Sequence, residues 1–221
     1  MAGHLWAAFD RPPVMLLAGL PVTQEEGIEV ERALEIQEAV LSFARAAFSV
    51  GHPVAVPADG FVAPLLSAVA DEYRPPSRSE EIQETPPQLA IGVLGSVEEE
   101  LGGWSRRAAP AAVLQPRFDS FEDFLESIEP RKVIVVGEGG AESGAERVGS
   151  VRERGVELQA VGPTLTESAR DRGWGEWDAA GRLLREIGWP EPGAESREGA
   201  PPIGAESVIP YGYLMQRLLE T

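Results

Sequence analysis

"RKVIVVGEGGAESGAERVGSVRERG", Arg131 to Gly155, is the stretch from which the fold can be read. Val133, Ile134, Val135 and Val136 form an unbroken apolar, β-branched run bounded by glycine, which is how a strand buried on both faces reads. Gly137, Gly139 and Gly140 follow at once, and "AERVGSVRERG" after them is helix-like. "VELQAVG", from Val156 to Gly162, then supplies one more strand.

The same alternation extends in both directions. "VMLLAGL" (Val14–Leu20) is a short apolar run feeding a loop, and "EVERALEIQEAVLSFARAAFSVG" (Glu29–Gly51) is an amphipathic helix stopped by glycine. Its expected apolar face holds Ala33, Leu34, Ile36, Ala39, Val40, Leu41, Phe43, Ala44 and Phe48. "HPVAVPADG" gives a second strand, and Asp59 is placed to cap the helix "FVAPLLSAVADEY". "RPPSRSEEIQETPP" reads as a surface linker. It is followed by the strand "QLAIGVLG", a weak helix around Glu98–Arg107, the strand-like "AAVLQP", and the helix "SFEDFLESI" capped by Ser120. Beyond the glycine loop, "EWDAAGRLLREIG" and "VIPYGYLMQRLLE" are helical, separated by the polar loop "EPGAESREGAPPIG".

Strands alternating with helices predict an α/β fold: an open, mostly parallel, Rossmann-like sheet with helices on both faces. Residues 1–13 read as an N-terminal extension and residues 14–221 as a single α/β domain. In such sheets ligands bind beyond the carboxyl ends of the strands, where the βα loops gather. The loops after Leu20 and after Val136 are therefore the places to look.

Composition narrows the partners. The chain has 221 residues, a net charge of −17 and no cysteine. A field of that sign repels phosphate backbones and anionic lipid, so nucleic acid and membrane are not expected partners. No apolar run approaches the roughly 20 residues a membrane-spanning helix needs. The absence of disulfides and thiolates fits a reducing cytoplasm. Lys132 is the sole lysine, which restricts Schiff-base chemistry to that position, and His4 and His52 are too few for a multi-histidine metal site.

On local physics, Gly137, Gly139 and Gly140 let the backbone approach a ligand and present N–H groups at a helix start, which favours an anion. The loop is neither a dinucleotide fingerprint, because Glu142 occupies the third glycine position, nor a P-loop, because no lysine follows. Glu138, Glu142 and Glu146 suit proton transfer or a divalent cation such as Mg2+. Equally, they suit the solvated acidic first turn of a helix.

"GEGGAESGAERV" (Gly137–Val148) resembles the signature G-D-G-G-N-E-x-G-x-G-x-V of the D-glutamate cyclase-like C-terminal domain family. Gly137, Gly139, Gly140, Glu142, Gly144 and Val148 match, and Glu138 stands for the aspartate. Ala141 replaces the asparagine and Glu146 a glycine. "LLAGLPV" with the helix after it is similar to the family's opening through Gly19, Pro21, Val22 and Glu29, with Glu31 in the aspartate place. "RDRGWGEW" is similar to its S-N-W-G segment through Trp174 and Gly175, with Arg172 and Gly173 replacing serine and asparagine.

The resemblance implies an α/β domain that closes D-glutamate to 5-oxo-D-proline with loss of water. It also implies roles. Glu142 would be the base; the N–H groups of Gly139 and Gly140 would hold the oxyanion; and Glu138 with Glu29 or Glu31 would hold an ammonium or a divalent ion. An arginine that the sequence does not single out would take the α-carboxylate. The implied partner is thus a small anionic molecule; a homo-oligomer is compatible with everything above. The alternative is a non-catalytic nucleotide-binding module like the Rossmann-like domains of the lonely-guy and DNA-processing type. Their P-G-G-x-G-T-x-x-E loop can be laid on Gly139, Gly140, Ser143 and Glu146, with Glu142 on its third glycine.

Overall fold

The computed structural model describes residues 9–20, 30–58, 61–73, 87–95, 113–114, 117–138, 144–165, 167–173, 179–186 and 210–221. Its strands are β1 (Val14–Gly19), β2 (Val54–Pro57), β3 (Leu89–Leu94), β4 (Val113–Leu114), β5 (Arg117–Phe118), β6 (Lys132–Gly137) and β7 (Glu157–Ala160). The helices are α1 (Val30–Ser49), α2 (Val62–Glu72), α3 (Phe121–Ile128), α4 (Gly144–Glu153), α5 (Glu167–Asp171), α6 (Ala179–Glu186) and α7 (Tyr211–Glu220). A 3-10 turn, Gly162–Thr164, follows β7.

Among the described residues every strand pair is parallel, and the sheet runs β4-β3-β2-β1-β6-β7. β5 also pairs with β3, at Val93 and Leu94, where β4 pairs at Leu89 and Ala90. β4 and β5 therefore succeed one another along the same edge. The α/β, Rossmann-like architecture expected from the alternation is the one observed, with every described strand pair parallel.

Strand periodicity distributes the core. Val14, Leu16 and Ala18 of β1, with Ile134 and Val136 of β6, face α1, α2 and α7. Met15 and Leu17, with Val133 and Val135, face α3, α4 and Ala169 of α5. Burial on both faces is why these runs carry no polar alternation. Phe9 packs into the second cluster, and Arg11 donates to the carbonyls of Val50 and Gly51 at 2.9 Å, so the end of the expected extension is tied to the domain.

The local signals mostly act as read. Gly51 takes φ +64° just beyond α1, and the Ser120 hydroxyl accepts from the Asp123 N–H at 3.1 Å to cap α3. One expectation needs correction. Leu34 is 60% exposed, because about 100° per residue carries it to the side of α1 that holds the exposed Glu38 and Arg45, away from Ile36 and Phe43. At the start of α2 the capping position is Phe61, with no side-chain cap bond. Asp59 and the expected helix around Glu98–Arg107 lie outside the described residues.

α7 is fixed from below by the sheet. Lys132, fully buried at the start of β6, donates to the Leu218 carbonyl at 2.9 Å, and Arg131 donates to the Leu219 carbonyl at 3.3 Å. Two cations thus meet the negative end of the last helix and satisfy carbonyls its final turn leaves open. α7 lies beside α1 and shares its core through Leu214, Met215 and Leu218.

Candidate functional site at the carboxyl ends of β1 and β6

The strand order reverses at β1. The chain moves outward through β2 and β3 on one side, then returns to place β6 on the other. In a doubly wound sheet, loops leaving such a pair diverge to opposite faces and leave a crevice between them. The loops in question follow Gly19 and Gly137, and those two glycines are direct register partners. Sequence segments far apart in the chain are thereby placed side by side.

Contact, not ligand chemistry, dictates Gly137. Its φ is +65°, and a Cβ added to it would collide with the Gly19 carbonyl oxygen and lie 2.8 Å from Ile36 Cδ1. No side chain fits there. The turn is fixed by three bonds. The Gly137 N–H donates to Thr164 Oγ1 at 3.0 Å, the Glu138 N–H donates to the Gly19 carbonyl at 3.1 Å, and Arg172 Nη2 donates to Glu138 Oε2 at 3.1 Å. The first two N–H groups of the motif are therefore spent on the protein itself.

Arg172 follows α5, in the segment that resembles the family's S-N-W-G stretch, and its ion pair with Glu138 brings that segment to the end of β6. The guanidinium is about two-fifths exposed and the carboxylate about one-quarter. Here is a cation at the carboxyl end of β6 which the sequence alone did not single out. Arg32, in the first turns of α1, reaches the same edge. It donates through Nη2 to the Leu165 carbonyl and pairs through Nη1 with Glu35 at 3.0 Å. The other oxygen of Glu35 accepts from the Tyr211 hydroxyl at 2.7 Å. Burial, and then the neighbouring Glu35 charge, hold the Tyr211 phenol far above the ordinary tyrosine pKa.

The expected site residues fall into three groups. Gly19, Gly137 and Glu138 come together at the carboxyl ends of β1 and β6, and Gly144 is buried at the start of α4. Glu31 lies in the first turn of α1, and its side chain is outside the described residues, as are Glu29, Gly139, Gly140, Glu142, Trp174 and Gly175. Glu146 is exposed on the first turn of α4, the placement of a solvated helix-start acid. Among the described residues no three histidine, aspartate or glutamate side chains gather into a possible metal cluster. The carboxylate of Glu138 is engaged by the Arg172 guanidinium. His52 is buried at the opposite end of the sheet, with Nδ1 3.3 Å from the Pro53 carbonyl, in a structural position.

Among the described residues no helix is long and apolar enough to cross a membrane. Thr164, Arg32, Glu35 and Tyr211 carried no motif signal, since each acts through a partner distant in sequence. Comparison with known proteins adds no identity to this geometry: no family model, no curated protein and no solved structure matches the chain.

Proposed function

We propose that this chain is a D-glutamate cyclase-like domain that binds a small carboxylate ligand, an amino acid or a close relative, in the crevice at the ends of β1 and β6. The supporting observation is convergence. Three segments singled out for their resemblance to one family, around Gly19, Gly137–Glu138 and Arg172, meet at one edge of the sheet. That edge is where the strand order reverses, the general ligand position of this fold.

In this reading Arg172 receives the ligand's α-carboxylate, and Glu138 holds the guanidinium until the ligand arrives. For ring closure of D-glutamate, Glu142 takes one proton from the ammonium, the freed amine attacks the γ-carboxyl carbon, and Glu142, having passed the first proton to the departing oxygen, takes the second from the nitrogen as the C–N bond forms. The N–H groups of Gly139 and Gly140 hold the developing oxyanion. The C–O bond then breaks, and the oxygen leaves as water with protons returned by Glu142, giving 5-oxo-D-proline. An arginine in the family's serine place is a departure that changes how the substrate is held, so ligand range is the first property to measure.

The test is thermal unfolding with D-glutamate, 5-oxo-D-proline, AMP and ADP-ribose, each with and without magnesium. A carboxylate at about a hundred times its Kd raises the Tm by about 5–10 °C, and Arg172→Ala removes the shift while leaving the unliganded Tm near its starting value. Stabilisation by nucleotides alone replaces this reading with that of a nucleotide-binding module, which the same switch point suits. Stabilisation by none of them refutes both.

A further inference from the structure

The described residues contain a polar chain that runs from the last helix to the first residue of the glycine loop. Tyr211 at the start of α7 donates to Glu35, and Glu35 pairs with Arg32. Arg32 donates to the Leu165 carbonyl, and Leu165 follows Thr164 directly. Thr164, fully buried, accepts from the Gly137 N–H at 3.0 Å and donates to the Val161 carbonyl at 2.7 Å. Four elements, α7, α1, the 3-10 turn and β6, are linked by side chains that are buried or half-buried.

The Thr164 hydroxyl is well suited to this position. The β6–β7 ladder ends at Val135 and Ala160, so the Gly137 N–H lies beyond its last pair, and a buried amide without an acceptor costs more than an ordinary hydrogen bond is worth. The carbonyl next in line is that of Val161, just past the end of β7, and the Thr164 hydroxyl stands between it and the Gly137 amide. The side chain of Thr164 reaches back to supply the acceptor, and its own proton is directed to Val161, so its lone pairs face Gly137. Such a hydroxyl holds the chain at the point where it leaves β6, at Gly137. The Arg32 contact matters for the same reason. It fixes the backbone next to Thr164 to α1, and Glu35 and Tyr211 hold that guanidinium in place.

We infer that Thr164 is the positioning residue of the glycine loop, and that the Tyr211–Glu35–Arg32 bridge couples the docking of the last helix to it. The consequence for ligand affinity rests on the carboxylate-binding reading above; the consequence for the loop does not.

The experiment is amide hydrogen exchange followed by NMR on the full chain, with Thr164→Val, Thr164→Ser and Tyr211→Phe. Thr164→Val keeps the shape and removes the acceptor, so exchange at Gly137 rises about tenfold, beyond any rise at the strand-centre amides of Leu16 and Ile134. Thr164→Ser restores the hydroxyl and returns Gly137 toward the wild-type rate. Tyr211→Phe raises exchange at Leu165 and Gly137 more than at those strand centres. A merely structural role would move all these amides together, and that uniform result overturns the inference, as does an unchanged Gly137 rate in Thr164→Val. Titration of the same samples with D-glutamate and 5-oxo-D-proline supplies the separate arm. Weakened binding by Thr164→Val with rescue by Thr164→Ser supports the coupling to ligand. Wild-type protein that binds neither compound counts against the ligand reading, while the exchange rates still decide the role of Thr164.

Discussion

Replacing Gly137 by alanine tests whether this glycine belongs to the fold before it belongs to any ligand. The new Cβ would collide with the Gly19 oxygen and start 2.8 Å from Ile36 Cδ1. A left-handed backbone costs a non-glycine residue about 1–2 kcal/mol. Forcing a methyl group against Ile36 adds about 1–3 kcal/mol of overpacking. Separating the strand ends enough to relieve the oxygen contact loosens the bond from the Glu138 N–H to the same oxygen, worth about 1 kcal/mol. The expected loss is about 3–6 kcal/mol, a large part of the roughly 5–15 kcal/mol that holds a typical domain, and the Tm falls by about 10–20 °C. Urea unfolding followed by circular dichroism reads it directly. Gly149→Ala is the control: it lies inside α4 with nothing within 4 Å of an added Cβ, so alanine there stabilises by about 0.5–1 kcal/mol. A loss below about 1 kcal/mol at Gly137, or a gain like that expected at Gly149, would refute the argument that close strand approach dictates the residue.

Three further outcomes are expected. Lys132→Met removes one of two donors to the Leu218 carbonyl, leaving the Thr221 hydroxyl, and should cost about 1 kcal/mol, with amide exchange rising first in the last turn of α7; equal stability and unchanged exchange would mean that the Lys132 bond does not hold that helix. Burial, opposed by the bond to the Pro53 carbonyl and aided by Arg11, Arg131 and Lys132, lowers the His52 pKa below 6.5. The unfolded chain then takes up a proton that the folded chain refuses, so stability is complete above about pH 6.5 and declines on acidification by up to about 1.4 kcal/mol per pH unit; His52→Gln should flatten that slope in urea midpoints measured from about pH 5 to 8. Glu142→Gln should abolish formation of 5-oxo-D-proline while leaving the unfolding midpoint unchanged, and undiminished turnover would remove Glu142 as the base.

The β-branched runs of β1 and β6 were legible because a strand buried on both faces needs no polar alternation. The Ser120 cap and the Gly51 stop were legible because each acts within one helical turn of itself. Leu34 was misplaced because a broad apolar stripe does not say where its edge falls, and only the packing of α2 and α7 around α1 draws that edge. Of the site, the sequence marked Gly19, Gly137 and Glu138, and it did not mark Arg172 as their companion or Thr164 as the acceptor behind them.

Periodicity, backbone freedom and composition carry the alternation of strands and helices, the two-faced burial of the central strands, the glycine loop after Val136 and the acidic charge of the whole. All of these are properties of near neighbours or of simple counts, so the chain displays them before it folds. That β6 returns beside β1, so that Gly19 and Gly137 touch, is a matter of three-dimensional packing. So are the meeting of Arg172 with Glu138 and the reach of Tyr211 to Arg32 through Glu35. Those pairings depend on the order of strands in the sheet, which is set by how long-range burial is shared among all the elements and leaves no mark in any one stretch of chain.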